Sequence, residues 1–101
     1  MLVRLSKRSE TDLEEIGDYI AADNPMNALR FIGELREACL KIGQMPTAYR
    51  LRPELGHGLR SSAVKSYVIF FVIEGDEVLI ARVMHGARDI TSSTFESEGT
   101  A

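Results

Sequence analysis

At 101 residues the chain reads as one domain, with room for a single modest core. Hydrophobic residues make up 45% and charged residues 27%, as in an ordinary globular protein, and no apolar run nears the roughly 20 residues of a membrane span. A net charge of −3 argues against a general nucleic-acid binder, which is normally basic.

The opening MLVRL is short and apolar and reads as a strand over residues 1–5. Ser6 then suits an N-cap, its oxygen free to accept from an exposed backbone N–H. In KRSETDLEEIGDYIAAD, Leu13, Ile16 and Ile20 recur at helical spacing while acidic residues fill much of the other face. That pattern predicts an amphipathic helix. Gly17 in its middle marks either a close approach or a tolerated loss of about 1 kcal/mol relative to alanine. "DNP", residues 23–25, is the clearest punctuation: Asn24 can cap a new helix whose first turn holds Pro25. Ala28, Ile32, Leu35, Cys39 and Ile42 form the seam of that second helix, which should pack on the first as an antiparallel hairpin. Gly43 and Pro46 end it.

PTAYRLRPELGHG, residues 46–58, reads as a loop or a short helical turn. LRSSAV, 59–64, is a candidate strand. YVIFFVI, 67–73, is apolar throughout and rich in β-branched and aromatic residues, as a central strand covered on both sides requires. EGDE, 74–77, places Gly-Asp at a hairpin turn, and VLIARVMH, 78–85, returns. The tail from Thr91 is small and polar, with Phe95 its only large anchor. A single domain over residues 1–90 with a flexible or partly docked tail at 91–101 is expected. The order is β-α-α-β-β-β, an α+β chain with a helical hairpin on a small, four-stranded antiparallel sheet.

Charge is unevenly spread. Residues 7–23 set Lys7 and Arg8 against Glu10, Asp12, Glu14, Glu15, Asp18 and Asp23, whereas residues 46–73 hold Arg50, Arg52, Arg60 and Lys65 against Glu54 alone. RVMHGARD, 82–89, adds Arg82, His85 and Arg88 at a strand end. The phosphate loop, the nucleophile elbow and the zinc-protease helix motif are all missing. Cys39 on a helix seam and two histidines 28 residues apart make a poor metal set, so neither metal nor cofactor is expected. Cys39 reads as a core residue. A basic constellation of Arg50, Arg52, His57, Arg60, Lys65, Arg82, His85 and Arg88 remains, with Arg50, Arg52, Arg60, Arg82, His85 and Arg88 as the candidate contacts. It could cradle a phosphodiester and act as acid or base on RNA, make charge-assisted contacts with a protein, or be a solvated sheet edge with Arg82 and Asp89 paired.

These segments together resemble the ParE toxins of the RelE/ParE superfamily of type II toxin–antitoxin modules. The carriers are DLEEI with DYIAADNP, CLKIGQMP, YRLRPELGHGLR and RVMHGARD, in that order over about residues 1–90. One departure is Gly17, where the family often has a large aromatic. The resemblance implies the small RelE-like fold and a ParD-like antitoxin as hetero-oligomeric partner. It implies DNA gyrase as target, inhibited by binding rather than catalysis, with no sequence-specific DNA contact and no membrane. RelE-type relatives instead cut messenger RNA on the ribosome, often with a C-terminal tyrosine. Here the tyrosines are Tyr19, Tyr49 and Tyr67, and none follows the last strand. That favours the gyrase poison over the nuclease; an inactive module member is the third reading. A partly disordered antitoxin segment is expected to bring acidic residues to Arg50, Arg52, Arg60 or Arg82. The lone cysteine and the short apolar N-terminus fit a cytoplasmic protein.

Overall fold

The structure is a computed structural model that describes residues 1–96. Strand β1 (Leu2–Leu5) leads into helix α1 (Lys7–Ala21) and helix α2 (Pro25–Ile42). A 3-10 turn (Pro46–Ala48) and strand β2 (Arg50–Leu51) follow, then β3 (Arg60–Val64), β4 (Tyr67–Glu74), β5 (Glu77–His85) and a short helix α3 (Ser93–Glu96).

Local chemistry sets the helix starts. The extended backbone of Ser6 lets its Oγ accept from Ser9 N at 3.0 Å, and the same hydroxyl donates to Ala81 O at 3.0 Å, tying α1 to β5 as it begins. Asn24 Oδ1 accepts from Asn27 N at 3.1 Å, with Pro25 next in the helix's first turn. Gly43 closes α2 for a reason different from the one expected. Its φ of −62° is right-handed, so no left-handed cap is involved. A Cβ there would lie 2.5 Å from Met1 O and 2.7 Å from Val3 Cγ2, so the close approach of β1 is what requires glycine. Gly17 is the milder case: a Cβ would sit 3.4 Å from Ile32 Cγ1 of α2, an ordinary contact, although a large aromatic would have to displace Ile32.

The sheet has five strands in the order β1-β5-β4-β3-β2. The α+β class holds, but the sheet differs from the four antiparallel strands expected. β1 runs parallel to β5, with Leu5 opposite Ile80, which makes the sheet mixed. β2 is an added edge strand, pairing Arg50 with Ser61 and Leu51 with Arg60. Two residues are too few to show an alternation, so this strand had no pattern to betray it. The β4–β5 hairpin turns through Gly75 at φ +61°, the left-handed geometry that a two-residue turn needs at its first position.

Successive residues of β4 face opposite ways, so the strand builds two cores. Ile69 and Phe71 face the hairpin, where they meet Leu13, Ile16, Phe31, Leu35, Cys39 and Ile42, with Val78, Ile80 and Val83 from β5. Each large side chain buried there contributes about 1.5–3 kcal/mol. Phe70 faces the other side and packs with Leu55, Leu59, Met84 and Phe95. Phe95 comes from α3 and meets the Phe70 ring edge-on at 5.0 Å.

Candidate functional site

The six basic residues singled out in the sequence fall into three places. Arg82 lies inside, only 5% exposed. A register shift in β5 pairs Phe70 with Arg82 but Phe71 with Ile80, leaving Ala81 as an extra residue. Such a bulge re-aims neighbouring side chains. The Arg82 guanidinium runs to Asp12 of α1, with Nε to Oδ2 at 2.8 Å and Nη2 to Oδ1 at 3.0 Å. Asp12 Oδ2 also accepts from Val83 N at 3.0 Å, and Arg8 stands 3.6 Å from Oδ1. β1 pairs with β5 only as far as Ile80, so beyond it a helical carboxylate takes the place of a neighbouring strand. Arg82 therefore holds α1 against β5. It offers almost no surface to a partner, and its carboxylate is Asp12 rather than Asp89.

Arg50, Arg52 and Arg60 share the β2–β3 edge but not one face: Arg50 is opposite Ser61, which Arg52 also reaches, while Arg60 is opposite Leu51 on the other side. Arg60 Nη1 donates to Tyr49 O at 2.8 Å and to Thr47 O at 3.3 Å, fixing the chain that leads into β2. Arg52 Nε donates to Glu54 Oε2 at 2.8 Å and Nη1 to Ser61 Oγ at 3.3 Å. The hydrogen bond from Arg52 holds the Glu54 carboxyl below the usual range. On this edge Arg60 is oriented by backbone carbonyls, Arg52 by the side chains of Glu54 and Ser61, and Arg50 is exposed.

His85 and Arg88 stand at the far end of β5, two strands away from that edge. His85 is exposed, its Nδ1 accepting from Ala87 N at 3.1 Å, so in the neutral ring Nε2 carries the proton. Its ring meets Tyr67 edge-on at 5.1 Å, because Tyr67 and His85 are register partners. With Glu15, Tyr19 and Arg88 they line a shallow hollow of about 180 Å³. Burial, and then the neighbouring Tyr19, push the Tyr67 phenol above its ordinary value, so it keeps its proton at neutral pH. Lys65, at the turn nearby, pairs with Glu34 at 3.0 Å and lies 5.5 Å over the Phe31 ring.

Sequence reasoning missed Asp12 and Tyr67. Asp12 had a signal: it lies four residues before Ile16, so it shares the apolar face rather than the acidic one. Tyr67 had none, since only strand pairing brings it to His85. Cys39 is buried in the main core, and desolvation raises its thiol to about 11, which makes it a poor nucleophile. No group of three or more metal-ligating side chains occurs among the described residues. None of the helices among them is long and apolar enough to cross a membrane.

The similarities to known proteins agree with this architecture. The fold is that of a chain in the chromosomal ParDE TA system from P. aeruginosa, with a TM-score of 0.74 at 23% identity over 84% of this chain and 95% of that one. It is also that of a chain in the toxin–antitoxin complex RelBE2 from Mycobacterium tuberculosis, with a TM-score of 0.62 at 24% identity over 83% and 95%. No curated protein sequence matches. The family model for the ParE toxin of the type II toxin–antitoxin system parDE matches residues 3–90, nearly the whole described chain, and the protein belongs to that family.

Proposed function

We propose that this toxin inhibits DNA gyrase by binding and is neutralised by a ParD-like antitoxin. Family membership makes it a type II toxin. What supports binding over catalysis is the dispersal of the basic residues. Arg82 is engaged with Asp12 inside the fold, while Arg50, Arg52 and Arg60 lie apart from His85 and Arg88. A phosphodiester-cleaving site needs such groups converging on one phosphate. An acidic antitoxin segment fits the Arg50–Arg52–Arg60 edge, where charge-assisted hydrogen bonds to carboxylates are available. Arg82 drops out of that surface because it is buried. Gyrase supercoiling in the presence of the purified chain tests the target. Inhibition, or trapped cleavage complexes, is expected at micromolar concentration. Untouched gyrase alongside arrested cells would overturn it.

One observation favours a second reading, a RelE-like ribosome-dependent endoribonuclease. Tyr67 stands against His85 with Arg88 on the same hollow, so the fold supplies a tyrosine that chain order did not. Toe-printing of transcripts in a translation extract separates the two. Cleavage lost on Tyr67→Phe and His85→Ala would establish the nuclease; intact transcripts during growth arrest exclude it.

A further inference from the structure

The outward face of α2 carries apolar side chains that the packing of one chain leaves exposed. Met26 is 68%, Leu29 73% and Leu40 62% exposed. With Gly33 and Glu37 they fall within about 80° of one another around the helix axis, at 100° per residue. Gly33 sits in the middle of this stripe. Glycine inside a helix is costly relative to alanine, and nothing within the chain requires it here: a Cβ at Gly33 would meet no atom within 4 Å. This contrasts with Gly43, whose place β1 occupies. Arg30 and Glu37 border the stripe on one side, and among the described residues neither has an ion pair or side-chain hydrogen bond.

We propose that two copies of this chain associate through α2, packed antiparallel about a two-fold axis at Gly33. A two-fold interface needs a patch complementary to itself. Met26 lies seven residues before Gly33 and Leu40 seven after, so each meets the other across the axis. Arg30, three before, comes beside the partner's Glu37, four after. Arg36 would repel the partner's Arg30, but it is tied to Glu10 of α1 at 2.9 Å. The mutual approach of the two glycines lets the helices close until Met26 and Leu40 touch. A uniformly acidic partner would meet Glu37 on this same margin, whereas a second copy presents both signs in reversed order. One helix face lies at the small end of specific interfaces, so the dimer is reversible and depends on concentration. Self-association through α2 is independent of gyrase inhibition.

Sedimentation velocity of the full chain over a range of concentrations tests this. The wild type should move from monomer to dimer as concentration rises. Gly33→Leu and Arg30→Glu should each weaken the dimer about tenfold or more, the loss expected when about 1.4 kcal/mol of contact goes. Arg30→Glu combined with Glu37→Arg should restore it. Gly33→Ala guards against misfolding: the isolated chain has open space there, so this variant should melt no lower than wild type while dimerising less. A monomer at every concentration, or variants that dimerise as wild type does, overturns the proposal. So does a set of variants that dimerise normally but lose the antitoxin, which would assign this face to the antitoxin instead.

Discussion

Asp12 and Arg82 are 70 residues apart in the chain and share two hydrogen bonds in the folded state. A buried pair of this kind adds modest net stability, but breaking it strands a charge. Asp12→Ala should cost about 3–5 kcal/mol, visible as a large drop in Tm or in the urea midpoint. Replacing the pair with apolar residues, Asp12→Leu with Arg82→Met, should recover much of that loss. Equal melting of Asp12→Ala and wild type would mean the pair contributes nothing. Cys39 makes a second prediction at this scale. Its thiol stands at about 11 in the fold against an ordinary 9.0. The native state therefore keeps a proton that the unfolded chain gives up. Stability from this group is complete below about pH 9 and declines as pH rises from there toward 11. The urea midpoint should fall over that window, and Cys39→Ala should remove this part of the slope. In the native protein the thiol should resist alkylation at neutral pH and become reactive once unfolded. Rapid native labelling would contradict its burial.

Helix starts were legible because capping is local: Ser6 and Asn24 each satisfy an amide three residues on. Asn24→Ala should cost about 1 kcal/mol. Ser6→Ala should cost more, since Ser6 Oγ also reaches Ala81 O and so couples the cap to β5. Urea midpoints of the two variants check the order, and a larger loss for Asn24→Ala would contradict it. The central strand was legible too, because YVIFFVI is apolar on both faces and can only be covered twice. What covers its second face was not, since Leu55 and Leu59 sit in the irregular stretch before β3 and meet the distant Phe95 only through the fold. Phe95→Ala should cost about 3–5 kcal/mol if that cluster is as closely packed as the first, and hydrogen exchange in β4 should rise with it. β1 and β2 mark the limit of pattern reading. One pairs in parallel with a strand some 75 residues later, as Leu2 does with Glu77, and the other is two residues long.

At the scale of the whole molecule, the basic middle of the chain becomes one sheet edge, whereas the basic strand end divides between a buried Arg82 and an exposed His85 and Arg88. Opposing charge at Arg50 and Arg60 is expected to matter to the antitoxin, so Arg50→Glu with Arg60→Glu should weaken that complex at least tenfold and alter its salt dependence. His85→Ala should leave antitoxin affinity within about twofold, because it lies across the sheet. Titration calorimetry at two salt concentrations checks both; equal losses from the two ends would mean the antitoxin covers the whole sheet.

Sequence by itself determined the α+β class, the helix caps, the hairpin seam and the family resemblance. All of these rest on short-range spacing, on 3.6- and two-residue periodicity, or on the order of motifs along the chain. Tertiary structure alone decided which arginines of the last strand end face outward. Arg82 and Arg88 are the same residue type six positions apart. One is buried against Asp12 and the other is exposed beside His85. The difference comes from a one-residue bulge in β5 and from α1 lying where β1 stops, and pairing between distant segments leaves no local period to read.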